Sequence, residues 1–569
     1  MTPREAQGKK ITGSEAVIMS LLAEKVDTIF GYPGGANMPI YDALYNYQKK
    51  INHVLVRHEQ GAAHAAEGYA RVTGKPGVCF TTSGPGATNL VTGIADAMMD
   101  SVPMVCITGQ VASHLLGSDA FQETDVIGIT TPITKWNYQV STAQEIPEAF
   151  AKAFYIASHG RPGPVVLDIT KDAQFASLVF NYPKNFSIKK LLKKPLDMEQ
   201  IKLAADWLNN AKKPYILVGH GVLISRAEKE LQKFMDKSGV PAASTLHGLG
   251  AVPCNHPLYV GMLGMHGNYA PNALTNQADV ILAIGMRFDD RVTGRIKDYA
   301  KRAKIIHIDV DASEHHKNVK AHIAFAADAK DVLIALTSYI KKCSHPKWLQ
   351  QFQELKKKEK QAAYRRKKKA NGQIRMDEAV TLLSKVTNGN AIVVADVGQN
   401  QMFSARFYEY KFPNSYITSG GLGTMGFALP AAIGAKLGAK NKEIYAIIGD
   451  GGFQMTIQEL GTIAQEKLPI KIMVLNNHFL GMVRQWQQLF FDRRYSFTTM
   501  YNPDFIKIAE GYGIPAKKVT KREELEREMK KMREHKGAYL LDIEVEKEDN
   551  IFTMVPTGAS VEEVQLEEK

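Results

Sequence analysis

Cysteine is scarce. Its four copies in 569 residues, Cys79, Cys106, Cys254 and Cys343, lie far apart with no CxxC pair. That spacing excludes a disulfide scaffold and zinc sites built on paired thiolates. Long apolar runs are missing too, and none approaches the ~18–20 residues that cross a bilayer. The opening stretch, MTPREAQGKKITGSEA, has no apolar core and no cleavage-like site, so we expect no signal peptide, no membrane and a cytoplasmic location. Acid is in short supply relative to base, giving a net charge of +13. The excess is local: KKKEKQAAYRRKKK (356–369) holds nine basic residues and one acid, which leaves a surplus of only five elsewhere. That segment reads as a solvated helical face in preference to a phosphate-binding patch, so no nucleic-acid partner is expected.

What is present has the balance of a globular protein, 45% hydrophobic and 23% charged, and a length that predicts a few domains. Residues 10–180 alternate short apolar strands with small-residue helices, as in TIFGYPGG, GVCFTTSGPG, PMVCITG and PVVLDIT. A polar stretch near 181–195 reads as a linker. Residues 196–345 repeat the style in YILVGHG, DVILAIGMRFDD and KIIHIDVD, and residues 375–548 in AIVVADVGQ, IYAIIGDGG, IKIMVLNN and AYLLDIEV. Residues 549–569 form a tail. Such alternation predicts an α/β fold of three parallel-sheet domains. The first and third share a cadence: Gly86 to Pro103 and Gly452 to Pro469 both span 17 residues, and each follows a small-residue helix, GAAHAAEGYARVTG or GFALPAAIGAKLG. The match predicts a duplicated unit.

Two apolar strands end abruptly on oxygen-bearing side chains, IIGDGG at Asp450 and VLNN at Asn477. Ligands of parallel sheets bind where strand C-termini open into loops. An oxygen-only pair suits magnesium, which completes its octahedron with phosphate oxygens and water. Gly449, Gly451 and Gly452 let backbone amides approach those phosphates, with a helix expected to start near Thr456. Asp450 as a simple helix cap, or Asn476-Asn477 as a turn, is the bland alternative for either residue alone. G-D-G followed by N-N resembles the thiamine-diphosphate enzymes. The ordered motifs IFGYPGGANMPIYDAL, RHEQGAAHAAEGYAR, TSGPGATN, AFQETD, GRPGPVVLDITKD, GMLGMHG, RFDDRVTG, HIDVD, GGLGTMGFALPAAIGA and GMVRQWQ resemble the catalytic subunits of biosynthetic acetohydroxyacid synthases.

The resemblance implies roles for individual residues. Glu59 matches the glutamate that activates the aminopyrimidine of thiamine diphosphate, Met425 the apolar wedge that bends that cofactor, and Asp450, Asn477 and the Phe479 carbonyl the Mg2+ ligands. Val397, Gly398, Gln399, Asn400, Gly423, Gly481 and Met482 match further cofactor-binding positions. Arg161, Gly219, Gly221, Thr245, Met265, His266, Gly285, Arg287, Asp289, Arg291, Asp309 and Asp328 match contacts to FAD. Arg291 matches the group that meets the second substrate's carboxylate and Trp486 the aromatic that favours a larger acceptor, with Phe121, Gln122, Lys171 and Met482 completing the pocket. The implied activity decarboxylates pyruvate and transfers its two-carbon unit to a second 2-oxo acid, pyruvate or 2-oxobutyrate, in branched-chain amino-acid synthesis. The implied assembly is a homodimer or dimer of dimers with the active site between chains, and a separate small regulatory subunit. A pyruvate oxidase or decarboxylase using thiamine and FAD is the nearest rival, expected to lack Arg291 and Trp486 in these contexts. A catabolic acetolactate synthase, a nucleic-acid-binding protein using 356–369 and a catalytically dead regulator complete the alternatives.

Overall fold

The computed structural model describes residues 1–183, 186, 195–369 and 372–568, excluding the side chains of 364–369. Most of the sequence-expected linker at 181–195 therefore lies outside the described residues. The first sheet comprises β1 (Thr28–Gly31), β2 (Asn52–Leu55), β3 (Gly77–Thr81), β4 (Met104–Gln110), β5 (Trp136–Val140) and β6 (Pro164–Thr170). The second comprises β7 (Pro214–Val218), β8 (Ala242–Ser244), β9 (Tyr259–Met262), β10 (Val280–Ile284), β11 (Lys304–Asp309) and β12 (Ile323–Ala326). The third comprises β13 (Ile392–Ala395), β14 (Tyr416–Ile417), β15 (Ile444–Gly449), β16 (Ile470–Asn476), β17 (Ala516–Val519) and β18 (Tyr539–Glu544). Every pairing within the three is parallel. Lys10–Thr12 and Ser177–Val179 form a separate antiparallel pair that ties the start of the first domain to its end.

The strand orders carry the architecture. The first sheet runs β2-β1-β3-β4-β6-β5 and the third β14-β13-β15-β16-β18-β17, the same topology twice. The duplication read from matched spacings is therefore present in the fold. The middle sheet runs β9-β8-β7-β10-β11-β12, an order that reverses direction between β7 and β10 and opens a crevice there.

Small residues decide how the two outer domains meet. Helix α1 (Glu59–Thr73) starts at His58, whose side chain accepts from the Gln60 N–H, and ends on Gly74 at φ 70°. Helix α2 (Val91–Asp100) packs on it, α3 (Pro346–Lys369) carries the basic segment, and α4 (Ala428–Gly438) is the small-residue helix of the third domain. Lys356, Lys357, Lys358 and Lys360 are exposed on α3. Ala62, Ala65 and Ala66 of α1 share one hydrophobic core with Ala428, Ala431 and Ala432 of α4. A Cβ on Gly68 would stand 2.0 Å from the Ala431 carbonyl oxygen, and one on Gly434 would stand 1.7 Å from that of Ala65. The backbones touch reciprocally, so neither helix can take a side chain there. Gly434→Ala should cost about 1–3 kcal/mol from overpacking, read as a lowered denaturation midpoint; an unchanged midpoint would show that the crossing has slack.

One local expectation is corrected. The helix after the third domain's glycine loop begins at Asp450 itself (Asp450–Met455), and Thr456 ends it. With no side chains on Gly451 and Gly452, the chain turns directly from β15 into helix, and a Cβ on Gly452 would stand 2.2 Å from Asp396 Oδ1.

Candidate active site

Two half-sites occupy the C-terminal edges of the outer sheets. At the first edge, Glu59 opens α1 half-buried, and its Oε2 accepts from Asn89 Nδ2 at 2.9 Å. The Gly84–Gly86 loop lies between Glu59 and Gln122: a Cβ on Gly86 would stand 3.4 Å from Glu59 Oε1, and one on Gly84 would stand 2.8 Å from the Gln122 carbonyl oxygen. Gln122 has φ 60°, and Phe121 beside it is 88% exposed. A left-handed glutamine next to a projecting aromatic is a strained backbone position on this loop. Lys171 leaves the end of β6 on the same edge, half-buried.

At the third edge, Asp450 and Asn477 stand at the ends of the adjacent strands β15 and β16, both almost fully buried. Asn477 Oδ1 accepts from the Phe479 N–H at 3.1 Å, and its Nδ2 donates to Gln399 Oε1 at 3.3 Å. Asn400 Nδ2 donates to the Asp396 and Ile447 carbonyls, which brings its Oδ1 near Gly449. Burial pushes the Asp450 carboxyl up to about 6, against the lowering effect of its hydrogen bond from Asn502. Asn502 was missed in the sequence; its Nδ2 donates to Asp450 Oδ2 at 2.7 Å and to Asn476 Oδ1 at 2.9 Å. Asp396 was missed as well. It accepts from the Val397, Gly426 and Ala428 N–H groups and so joins the loops on either side of the edge.

The donor set at this edge, a carboxylate, a carboxamide and nearby backbone carbonyls, fits a hard divalent cation and offers no nitrogen or sulfur preference. Glycines leave room for an anion beside it. A Cβ on Gly481 would stand 2.3 Å from Gln399 Oε1 and 2.7 Å from Asn477 Nδ2. Gly398, at φ 141°, begins the neighbouring loop in a conformation that suits glycine.

From this edge a cavity of about 640 Å³ runs into the middle domain's crevice. Val397, Gly398, Gly423, Met425, Met482 and Trp486 line its third-domain wall, and Gly221, Thr245, Met265, His266, Gly285 and Arg287 its middle-domain wall. Arg161, Asp289, Arg291, Asp309 and Asp328 line it as well. Gly219 follows β7 and Gly285 follows β10, at the point where the strand order reverses; a Cβ on Gly219 would stand 2.1 Å from the Gly285 carbonyl oxygen. Asp309 closes β11, and burial pushes its carboxyl up to about 6. His266 Nδ1 and Trp486 Nε1 are buried polar atoms with no partner among the described residues. Size, crevice and unpartnered polar atoms fit a dinucleotide.

Arg291 and Trp486 come from different domains and meet at this cavity. The guanidinium carbon lies 5.8 Å from the indole centroid, and Nη1 contacts Met265 Sδ at 3.6 Å. Helix α5 (Gly481–Phe490) supplies Met482 and Trp486, and the tail clasps it. Gln485 Nε2 donates to the Ile551 carbonyl, Arg484 Nη2 donates to Asn550 Oδ1 at 2.6 Å, and the Val555 N–H donates to the Met265 carbonyl at 2.7 Å. Glu59, Phe121, Gln122 and Lys171 do not line the cavity, and neither do Asp450 and Asn477. The chain thus carries both halves of the constellation, at separate edges.

Comparison with known proteins gives these halves a family. Three profiles match in order: the thiamine pyrophosphate enzyme N-terminal TPP binding domain over residues 11–129, the central domain over 201–336 and the C-terminal TPP binding domain over 396–543. The acetolactate synthase large subunit of Corynebacterium glutamicum is 46% identical, with 99% of this chain and 91% of that protein covered. The acetolactate synthase isozyme 2 large subunit of Escherichia coli K12 is 44% identical over 97% of this chain and 99% of its own length. Acetolactate synthase 1, chloroplastic, of Nicotiana tabacum is 43% identical over 98% of this chain and 85% of its own. With three thiamine domains in order and such identity along almost its full length, the chain belongs to the acetolactate synthase large-subunit family of thiamine pyrophosphate enzymes.

Proposed function

We propose that the chain is the catalytic subunit of an acetolactate synthase that decarboxylates pyruvate and joins its two-carbon unit to a second 2-oxo acid. Pyruvate as acceptor gives 2-acetolactate, and 2-oxobutyrate gives 2-aceto-2-hydroxybutyrate. The observation that carries this reading is the meeting of Arg291 and Trp486 at the cavity that Met425 lines. A guanidinium fork beside an aromatic wall suits an acceptor with a carboxylate at one end and an alkyl group at the other. It also favours carboligation over the oxidase or decarboxylase alternative, which needs no such acceptor pocket.

Each group then has a task. Thiamine diphosphate, when bound, supplies the electron sink that carbon dioxide loss requires. Glu59 would hold and release the proton that activation of the thiamine cofactor needs. Asp450, Asn477 and the Phe479 carbonyl would hold Mg2+, and Val397, Gly398, Gln399, Asn400, Gly423, Gly449, Gly451, Gly452 and Gly481 would shape the diphosphate cradle. Met425 would give the cofactor apolar support from the cavity wall. Gln122, Lys171 and Phe121 approach from the other edge, Arg291 orients the acceptor's carboxylate, and Met482 with Trp486 sets the space for its alkyl group. The tail, residues 549–569, excludes water from the reacting carbon. Arg161, Gly221, Thr245, Met265, His266, Gly285, Arg287, Asp289, Asp309 and Asp328 would hold FAD in the middle-domain cavity, with Gly219 packed against Gly285 beside it, as architecture, since carboligation is redox-neutral.

Because Glu59 and the Asp450 edge are apart in one chain, the working site pairs Glu59 of one chain with Asp450 of a second, in a homodimer or dimer of dimers. A separate small regulatory subunit completes the assembly. Domains run 10–180, 196–345 and 375–548. Among the described residues no helix is long and apolar enough to cross a membrane. A cytoplasmic location is part of this proposal. The test is a product assay with mixed pyruvate and 2-oxobutyrate, with and without magnesium and thiamine diphosphate. Acetohydroxy acids should dominate and depend on both additions; peroxide or acetaldehyde as the main product would overturn the reading.

A further inference from the structure

Helix α2 ends in two buried carboxylates one turn apart, Asp96 and Asp100, and both hold the loop that leads to Gly423 and Met425. Asp100 accepts from three groups, Arg71 Nη2 of α1 at 2.7 Å, the Gly420 N–H at 2.9 Å and the Gly421 N–H at 2.7 Å, and His247 Nε2 of the middle domain lies 3.0 Å from its Oδ1. One carboxylate therefore joins all three domains. Asp96 Oδ1 accepts from Ser419 Oγ at 2.7 Å, and Ser419 Oγ in turn accepts from the Thr424 N–H at 2.8 Å. Space is tight: a Cβ on Gly420 would stand 2.2 Å from His247 Nε2, and one on Gly421 would stand 2.8 Å from Asp100 Oδ1.

The facing side of α1 completes the clamp. His64 Nδ1 lies 2.9 Å from Glu67 Oε1 and 3.8 Å from Asp96 Oδ2, all fully buried, and Glu59 stands at the start of that same helix. Burial pushes the Asp100 carboxyl up, but His247 and Arg71 outweigh it and hold it below the usual carboxylate range. Burial, Glu67 and Asp100 together push Asp96 up to about 8. The helix thus offers the two glycine amides a carboxylate held low by its cationic neighbours and the serine a carboxyl held high by burial.

We propose that Asp100 is a positioning residue for the thiamine cofactor: by gripping Gly420 and Gly421 it sets where Gly423 and Met425 stand, and through Arg71 it ties them to the helix that bears Glu59. This rests on the functional reading above. Glu59 and Met425 of one chain serve different active sites in the proposed dimer, so the clamp also makes the geometry of one site depend on that of the other.

Asp100→Asn keeps the size but replaces one acceptor oxygen by an amide that confronts donors. In the purified full chain it should lower kcat and raise the thiamine diphosphate concentration for half-saturation by about 10–100-fold each, with little change in the KM for pyruvate. Cofactor binding is read independently of turnover, by tryptophan fluorescence titration with magnesium present. A merely structural role would lower the folded fraction and leave that half-saturation point alone. Ser419→Ala, which cuts the Asp96 link, should shift it the same way by less, and Glu443→Gln at a surface ion pair with Arg533 should not. A folded Asp100→Asn with unaltered cofactor titration and kcat overturns the proposal; if that variant does not fold, an unaltered titration of Ser419→Ala does so. Wild-type protein that binds the cofactor but forms no acetohydroxy acid would overturn the functional reading instead, and the titrations would still decide the role of Asp100.

Discussion

Glu59→Gln should lower kcat by about 10²–10⁴ and leave the fold and thiamine diphosphate binding in place. Glutamine has the same reach, and its Oε1 still accepts from Asn89 Nδ2 as the Glu59 carboxylate does. Helix α1 keeps its cap at His58, so the backbone has no cause to move. The variant loses one thing only, a group that can take and return a proton at the end of a helix beside a glycine loop. Third-domain support for this position is also untouched: the Arg57 N–H donates to Glu459 Oε1 at 3.0 Å. Turnover under saturating magnesium and thiamine diphosphate, alongside the fluorescence titration, separates chemistry from binding. Turnover near that of wild type would remove Glu59 from the mechanism.

Much of this was legible in the sequence because each feature interrupts a pattern. Asp450 and Asn477 are polar residues ending apolar strands, and period and loop glycines together mark the C-terminal edges of parallel sheets. The repeated strand order of the outer domains followed from matched spacings, since equal lengths of chain between glycine loop and next strand build equal crossovers. Other groups left no trace. Asn502, which orients Asp450, lies 52 residues further along in an irregular stretch where asparagine reads as a turn former. Asp396 and Asp100 take their meaning from backbone N–H partners in a loop 30 or 320 residues away, which no local pattern records. The separation of Glu59 from the cavity was likewise invisible to residue pattern, because domain packing through Gly68 and Gly434 sets it; only the family resemblance implied a site between chains. The first turn after Asp450 was placed late because Gly451 and Gly452 weigh against helix by propensity, whereas the tight approach to Asp396 leaves no room for anything larger.

Asp450→Asn separates function from stability. Asparagine keeps an oxygen that accepts from Asn502 Nδ2 but removes the one negative charge among the proposed Mg2+ ligands, so activity should fall at least about 10²-fold, the equivalent of several kcal/mol of metal-borne stabilisation. The metal-free protein should gain stability from the same change. The Asp450 carboxyl is raised from 3.8 to about 6 by burial, so the fold favours its neutral form. That preference stabilises the metal-free fold fully below the usual carboxylate range and is lost as pH rises through about 6. At neutral pH the ionised, metal-free group therefore costs roughly 1–3 kcal/mol, which asparagine relieves and bound magnesium offsets. Denaturation midpoints at pH 7.5 should accordingly rise with Mg2+ for the native chain, rise without it for Asp450→Asn, and show no metal response in the variant. Below pH 6 the native chain's response to Mg2+ should shrink as protons compete for the carboxylate. A variant less stable than metal-free native protein, or one still stabilised by Mg2+, would show that Asp450 is structural and that the cation binds elsewhere.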